Sequence, residues 1–257
     1  PQPTTTPVAM RIAVVTPYYK EPTDILRRCH DSVMAQTCPV THIMVSDGHP
    51  NPEVDQWNAI HVRLPGSQDT GDTPRAIGAL LASRMGFDAI SLLDADNWFE
   101  HDHIASLLAL QQQTGVQVVT CARTLRREDG TVLGPCHHSD GQSFNDTNCY
   151  LVIRSAFYIF SVWGFKRKEL SIVGDQIFWN TLVRAGFSRA HHSRATVNYV
   201  TLWGNHYRAL GESPPANAKA IYEPMPQKFQ LIPYTEYETI MAAEAAHGFH
   251  LPRSSPP

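Results

Sequence analysis

No stretch of this 257-residue chain is apolar for long enough to span a membrane, and its first residues show no signal-peptide pattern. Charge of one sign is also missing. Lys and Arg number 21 against 24 Asp and Glu, a balance that gives no reason to expect a nucleic-acid or anionic-membrane partner. Cysteine is sparse: Cys29, Cys38, Cys121, Cys136 and Cys149 form no CxxC pair and leave one over. Buried thiols in a reducing compartment are expected, rather than a disulfide scaffold or zinc site. A soluble cytoplasmic protein is the default. Glycine-based nucleotide signatures are absent too, with neither a Walker A loop nor GxGxxG, and there is no GxSxG elbow. Asp94-Ala95-Asp96-Asn97-Trp98 starts like a calcium loop but has Phe99 where that loop needs glycine. His101-Asp102-His103 and Cys136-His137-His138 put zinc-type donors at adjacent positions, which do not converge without further ligands.

What is present is regular. At 42% hydrophobic the chain can bury a large core. Strand patterns at residues 10–16, 41–46, 60–64, 88–93 and 116–121 alternate with helical patterns at 22–36, 73–85 and 101–113. That alternation predicts an α/β fold with a mostly parallel, Rossmann-like central sheet flanked by helices. Pro74 suits the first turn of its helix. Beyond Cys121 the rhythm changes. Asp129-Gly130 suggests a hairpin turn, and residues 135–147 read as a polar loop. A strand is expected at 149–153, a helix at 175–185, and further strand over 188–202. The last fifty residues look irregular with some helix. The division expected is a disordered start (1–9), a nucleotide-binding half (10–122), an acceptor-binding and catalytic half of the same domain (123–249) and a disordered tail (250–257).

Asp94-Ala95-Asp96 ends the apolar run that precedes it. On an extended backbone residues i and i+2 point the same way, roughly 6.5–7 Å apart. One carboxylate could then hold a hard cation such as Mg²⁺ or Mn²⁺ while the other reaches elsewhere on the same ligand. Alone the triplet is weak, since solvated turn carboxylates are common. Two other strands end in polar groups at the same expected sheet edge, Thr16-Pro17-Tyr18-Tyr19 and Asp47-Gly48, and ligands of open parallel sheets bind there. Tyrosines can stack on a base, and a carboxylate can accept from a pyrimidine N–H.

In order along the chain, Val14-Val15-Thr16-Pro17-Tyr18-Tyr19, Val45-Ser46-Asp47-Gly48, Thr70-Gly71-Asp72-Thr73-Pro74-Arg75 and Leu92-Leu93-Asp94-Ala95-Asp96 resemble the nucleotide-binding half of GT-A-fold glycosyltransferases of the family 2 type. The resemblance is good over residues 10–99 and loose beyond. It implies a nucleotide-sugar donor, most often UDP-linked, and Mn²⁺ or Mg²⁺. By position, Thr16, Pro17 and Tyr18 would line the uridine and Asp47 would bond the uracil N–H. Arg75 would approach ribose or diphosphate, Asp94 would contact ribose, Ala95 would belong with them to the donor-binding residues, and Asp96 would ligate the metal. Bland readings stand beside these: a turn former for Asp47 and a helix-start surface charge for Arg75. A basic residue there is unhelpful to the helix dipole, which favours ligand contact.

The second half departs from the pattern. Family 2 enzymes usually open a helix with Glu-Asp, the Asp deprotonating the acceptor hydroxyl, whereas here Gly174 precedes Asp175. Asp175 is the candidate base, with an N-cap as its structural alternative. His206 is the candidate third metal ligand, His192 stands behind it, and Arg208 could steady the departing diphosphate. Trp163, Phe165 and Trp203 could stack on a sugar, although large aromatics are more often core. Lys166-Arg167-Lys168 is either a solvated helix end or a site for an acceptor phosphate or lipid head group. The acceptor, whether glycan, lipid-linked or small molecule, is left open, as is inversion against retention. The rivals are a nucleotide-sugar-binding protein without activity and a sugar nucleotidyltransferase, though the latter ordinarily has a Gly-rich loop where Pro17-Tyr18-Tyr19-Lys20 stands.

Overall fold

The computed structural model describes residues 10–219. The segments expected to be disordered, 1–9 and 250–257, and most of the irregular C-terminal region lie outside the described residues. Nine strands form one sheet: β1 (Ile12–Tyr18), β2 (Thr41–Asp47), β3 (Ile60–Leu64), β4 (Ala89–Leu92), β5 (Trp98–Phe99), β6 (Val118–Arg126), β7 (Val132–Pro135), β8 (Tyr150–Ile153) and β9 (Arg189–Val200). Among the described residues six α-helices accompany them: α1 (Thr23–Met34), α2 (Asp72–Arg84), α3 (His103–Thr114), α4 (Ser161–Phe165), α5 (Gly174–Arg184) and α6 (Gly204–Ala209).

The strand order is β3-β2-β1-β4-β8-β6-β9-β5, with β7 attached to β6. The first four are parallel. β8 then runs antiparallel between β4 and β6, and β9 lies parallel to β6 over a long register. β6 spans residue 122, so the two expected halves share a strand and the boundary between them is not structural. The Asp129-Gly130 turn closes the β6–β7 hairpin, as the sequence predicts.

Alternation along β1 builds the two sides of the core. Ala13 and Val15 join a cluster with α2 and α5 residues such as Ala79, Phe178 and Leu182. Ile12 and Val14 face the opposite cluster, with Cys29, Ile104 and Leu107 from α1 and α3. Gly78 lets α2 approach the sheet, since a Cβ there would lie 2.4 Å from Val15 Cγ1. The five cysteines are free thiols, four of them buried and Cys38 partly so. No helix among the described residues is long and apolar enough to cross a membrane.

Beneath β1 and β2 lies a buried histidine pair. His30 and His42 stack with ring centroids 5.2 Å apart, their Nδ1 atoms 2.9 Å apart, and His42 Nε2 lies 2.8 Å from Thr16 Oγ1. Burial holds both imidazoles below their ordinary 6.5, and for His42 the neighbouring His30 adds to it. A base whose folded pKa is depressed contributes stability that is full above its unfolded value and lost as pH falls below it. The stability gap between wild type and His42→Gln should therefore narrow as pH drops from 7.5 to 5.0 in thermal melts. A gap independent of pH would refute a neutral buried pair.

Candidate functional site

After β3 the chain crosses to the other side of β1 to form β4, so the strand order reverses between β1 and β4. The carboxyl ends of these neighbours flank a crevice of the kind in which open α/β sheets bind ligands. Asp94-Ala95-Asp96 sits there, but in a turn and not on an extended strand: β4 stops at Leu92, and Asn97 N donates to Asp94 O at 3.0 Å. The expected side-by-side carboxylates of a strand are therefore replaced by a turn. Ala95 packs inward among Tyr18, Leu26, Met44, Val54 and Trp57. Buried Asn97 pins the turn to the far part of the sheet, its Oδ1 accepting from Val200 N at 2.8 Å.

The two carboxylates differ. Asp94 is held on both oxygens: Arg75 Nη2 donates to Oδ1, and Asn148 Nδ2 donates to Oδ2 at 3.0 Å. Asp96 has no side-chain donor among the described residues; Arg28 takes only its backbone carbonyl, at 2.9 Å. Asp96 is exposed to solvent at the turn, beside Asp94. The surrounding protein, with Asp94 and then Glu21 nearby, pushes its carboxyl up to about 7. An unpartnered carboxylate beside a second one suits a divalent cation, whose charge would reverse that penalty.

His206 is buried, and its Nδ1 lies 2.7 Å from Thr201 Oγ1. Burial, then Arg123 and His138, lower it to about 3, so the ring is neutral as a metal ligand must be. Among the described residues, however, no three His, Cys, Asp or Glu side chains converge as a metal-binding group. His206 is therefore not assembled with Asp96 into such a group. Arg208 is exposed on α6, its Nη1 folded back near Gly204.

Around Asp94 runs a line of alternating charges. Arg75 is buried rather than on the surface, its Nη1 donating to Thr70 O at 3.0 Å and lying 3.7 Å from Asp72 Oδ1. Asp72 in turn pairs with Lys166. The first lysine of the basic cluster is therefore a buried partner, and Lys168 Nζ donates to Ser67 O at 2.7 Å. Across the cleft Asp146 pairs with Arg123, whose guanidinium stacks 3.9 Å from the Tyr199 ring centre.

Asp175 is the second residue of α5, not its N-cap; Val173 precedes the helix. Its Oδ1 accepts from Gln176 N at 2.8 Å. Burial and the nearby Asp146 raise its carboxyl to about 6, while Gln176 N–H, Arg123 and Arg75 pull the other way. Arg75, which holds Asp94, and the Asp146–Arg123 pair are thus among the charges that Asp175 feels. Gly174 has no room for the glutamate usual in the resemblance: a Cβ would stand 2.8 Å from Trp163 Cζ3 and 2.9 Å from Lys166 Cε.

Several expected ligand contacts are committed to the fold instead. Thr16 is fully buried against His42. Tyr18 is buried, its hydroxyl 2.5 Å from His61 Nε2 and accepting from Asn51 N at 3.0 Å. Pro17 is also buried in β1, next to Gly71. Asp47 accepts from Ser67 N at 2.5 Å, Ser67 Oγ at 2.7 Å and Gln68 N at 3.3 Å, so it holds the loop after β3. Trp163 is core, stacked on Phe178. His191 bonds Thr120 at 2.9 Å and His192 accepts from Arg194 N at 3.2 Å, both partly exposed. Sequence reasoning gave no role to Asp72, Arg123, Asp146 or Asn148, and read Lys166 only as part of a basic cluster. The one sequence signal was the unusual density of polar residues over 135–147.

No protein-family model matches the chain, and no curated protein matches it in sequence. Solved structures do match in fold. S. aureus TarS aligns at TM-score 0.58 and 13% identity, over 77% of this chain and 38% of that one. TarS residues 1–349 in complex with UDP align at 0.57 and 12%, over 78% of this chain and 63% of that one. The complex with UDP-GlcNAc aligns at 0.53 and 10%, over 75% and 59%. The chain thus spans well under two thirds of full TarS. At this identity the likeness is one of architecture: a GT-A-like α/β fold, its mostly parallel sheet flanked by helices.

Proposed function

We propose that this chain is a metal-dependent, family 2-type glycosyltransferase that moves a sugar from a UDP-sugar to an acceptor hydroxyl. The observation behind this reading is the turn at the sheet's switch point, which carries an open carboxylate at Asp96 and, at Asp94, one clamped by Arg75 and Asn148. The UDP and UDP-GlcNAc complexes of TarS, on a similar fold, support the choice of donor. Asp96 would hold Mn²⁺ or Mg²⁺, which when bound neutralises charge on the departing diphosphate. Arg75 keeps Asp94 oriented toward the donor. Asp175 takes the acceptor's proton as its oxygen bonds the anomeric carbon and the bond to UDP breaks, giving inversion. Gly174 in place of an acid favours the alternative, a UDP-sugar-binding protein without turnover.

One experiment separates the two. Calorimetry with UDP should show binding in Mn²⁺ or Mg²⁺ and none in EDTA, and a panel of UDP-sugars should release UDP when acceptors are supplied. Binding without release from any donor–acceptor pair would favour the binding protein. UDP affinity indifferent to EDTA would overturn the site assignment itself.

A further inference from the structure

Asn148 has no place in the reading above, yet it touches Asp94 and joins it to Asp146. It follows the polar loop in the short 3₁₀ turn Thr147–Cys149, and its side chain is wholly inaccessible. Its Oδ1 accepts from Asp94 N at 2.5 Å. Its Nδ2 donates to Asp94 Oδ2 at 3.0 Å and also to Asp146 Oδ1 at 2.7 Å. One primary amide thus spends both N–H bonds on two carboxylates that would otherwise repel across a buried gap. Asp146 Oδ1 accepts Asn148 N as well, at 3.0 Å, which fixes the turn that carries the amide. Outside this amide, Asp94 leans on Arg75 and Asp146 on Arg123, so each carboxylate has a cation on its far side.

We propose that Asn148 is a positioning residue that sets the spacing of the donor-side carboxylate Asp94 and the carboxylate Asp146. This rests on the proposed donor site. Only an amide can do it. Aspartate at 148 is of the same size but offers no N–H, and would bring three carboxylates together. Serine loses the second bond. A tie of this kind acts on donor binding through Asp94, so its loss should raise the KM for donor more than it lowers kcat. A merely structural residue would move melting temperature without that pattern.

The test is a double-mutant cycle of Asn148→Asp with Asp146→Asn, which returns the amide to the pair from the other side. Thermal melts without ligand come first. Asn148→Asp should lower Tm clearly, and adding Asp146→Asn should recover much of that loss; strictly additive effects would overturn the clamp. UDP titration with Mn²⁺ comes second, where Asn148→Asp should bind roughly tenfold more weakly, as expected for a lost hydrogen bond to a charged group, and the double variant should be intermediate. Should Asn148→Asp not fold, Asn148→Ser carries the same titration. Coupled melts with no UDP binding even by wild type would leave the clamp standing and remove the donor reading. Wild-type UDP affinity in both single variants would remove the proposal and leave the donor reading intact.

Discussion

Asp96→Asn is expected to abolish metal-dependent UDP binding and, at the same time, to make the metal-free protein more stable. Both effects come from one carboxylate. Asp96 is exposed beside Asp94 with no side-chain donor among the described residues, and the surrounding protein, then Asp94 and Glu21, push its carboxyl up to about 7. Above that pH it is ionised in surroundings that oppose the charge. The folded chain therefore holds this proton more tightly than the unfolded chain, whose carboxyl titrates near 3.8. Folding loses stability from this group as pH rises through the interval between the two values. Asparagine removes the charge, so in EDTA the variant should melt higher than wild type at pH 8. The advantage should shrink as pH falls and vanish below about 4. With Mn²⁺ the order reverses, because only wild type gains from the cation. UDP affinity in Mn²⁺ should fall by at least about 100-fold, the upper end of what outer-shell partners of a metal contribute. A variant that melts below wild type in EDTA, or still binds UDP with Mn²⁺, would show Asp96 to be a structural carboxylate.

The fold was legible because periodicity is a property of the strand and helix themselves. The 60–64 strand falls where its pattern put it, and the helices at 73–85 and 175–185 begin one residue early. Site residues were harder to read, since what a side chain does depends on partners far away in sequence. Thr16 and Tyr18 look like ligand contacts at a strand end, but His42 and His61, contributed by neighbouring strands, claim their hydroxyls. Asp47 looks like a base-binding acid until the returning loop at Ser67 occupies it. Arg75 could be singled out, but its partner Asp94, nineteen positions on, could only be seen folded. Asn148 carried no signal at all. An asparagine in a polar loop is ordinary, and its meaning comes from contact with Asp94 over 54 positions.

Asp175→Asn is expected to leave UDP binding intact and to reduce transfer by about 10²- to 10⁴-fold, the usual worth of a general base. Asp175 Oδ1 is held by Gln176 N–H, which leaves Oδ2 as the atom to receive the proton. Its position in the first turn of α5 favours the carboxylate, through the helix dipole and the Gln176 bond. Burial and Asp146 outweigh these and lift the carboxyl to about 6. That is a useful compromise: the group is mostly ionised at neutral pH, yet basic enough to take up a proton as the acceptor oxygen attacks. In wild type, kcat/KM should therefore rise with pH and level off above about 6. The variant keeps the shape and loses the proton acceptor, so its residual rate should lack that limb. Calorimetry with UDP and Mn²⁺ fixes the donor side, and the anomeric configuration of the product, read by NMR, should be inverted. Transfer within tenfold of wild type would mean that Asp175 only starts a helix. A reduced rate that keeps the same limb would assign the titration to another group.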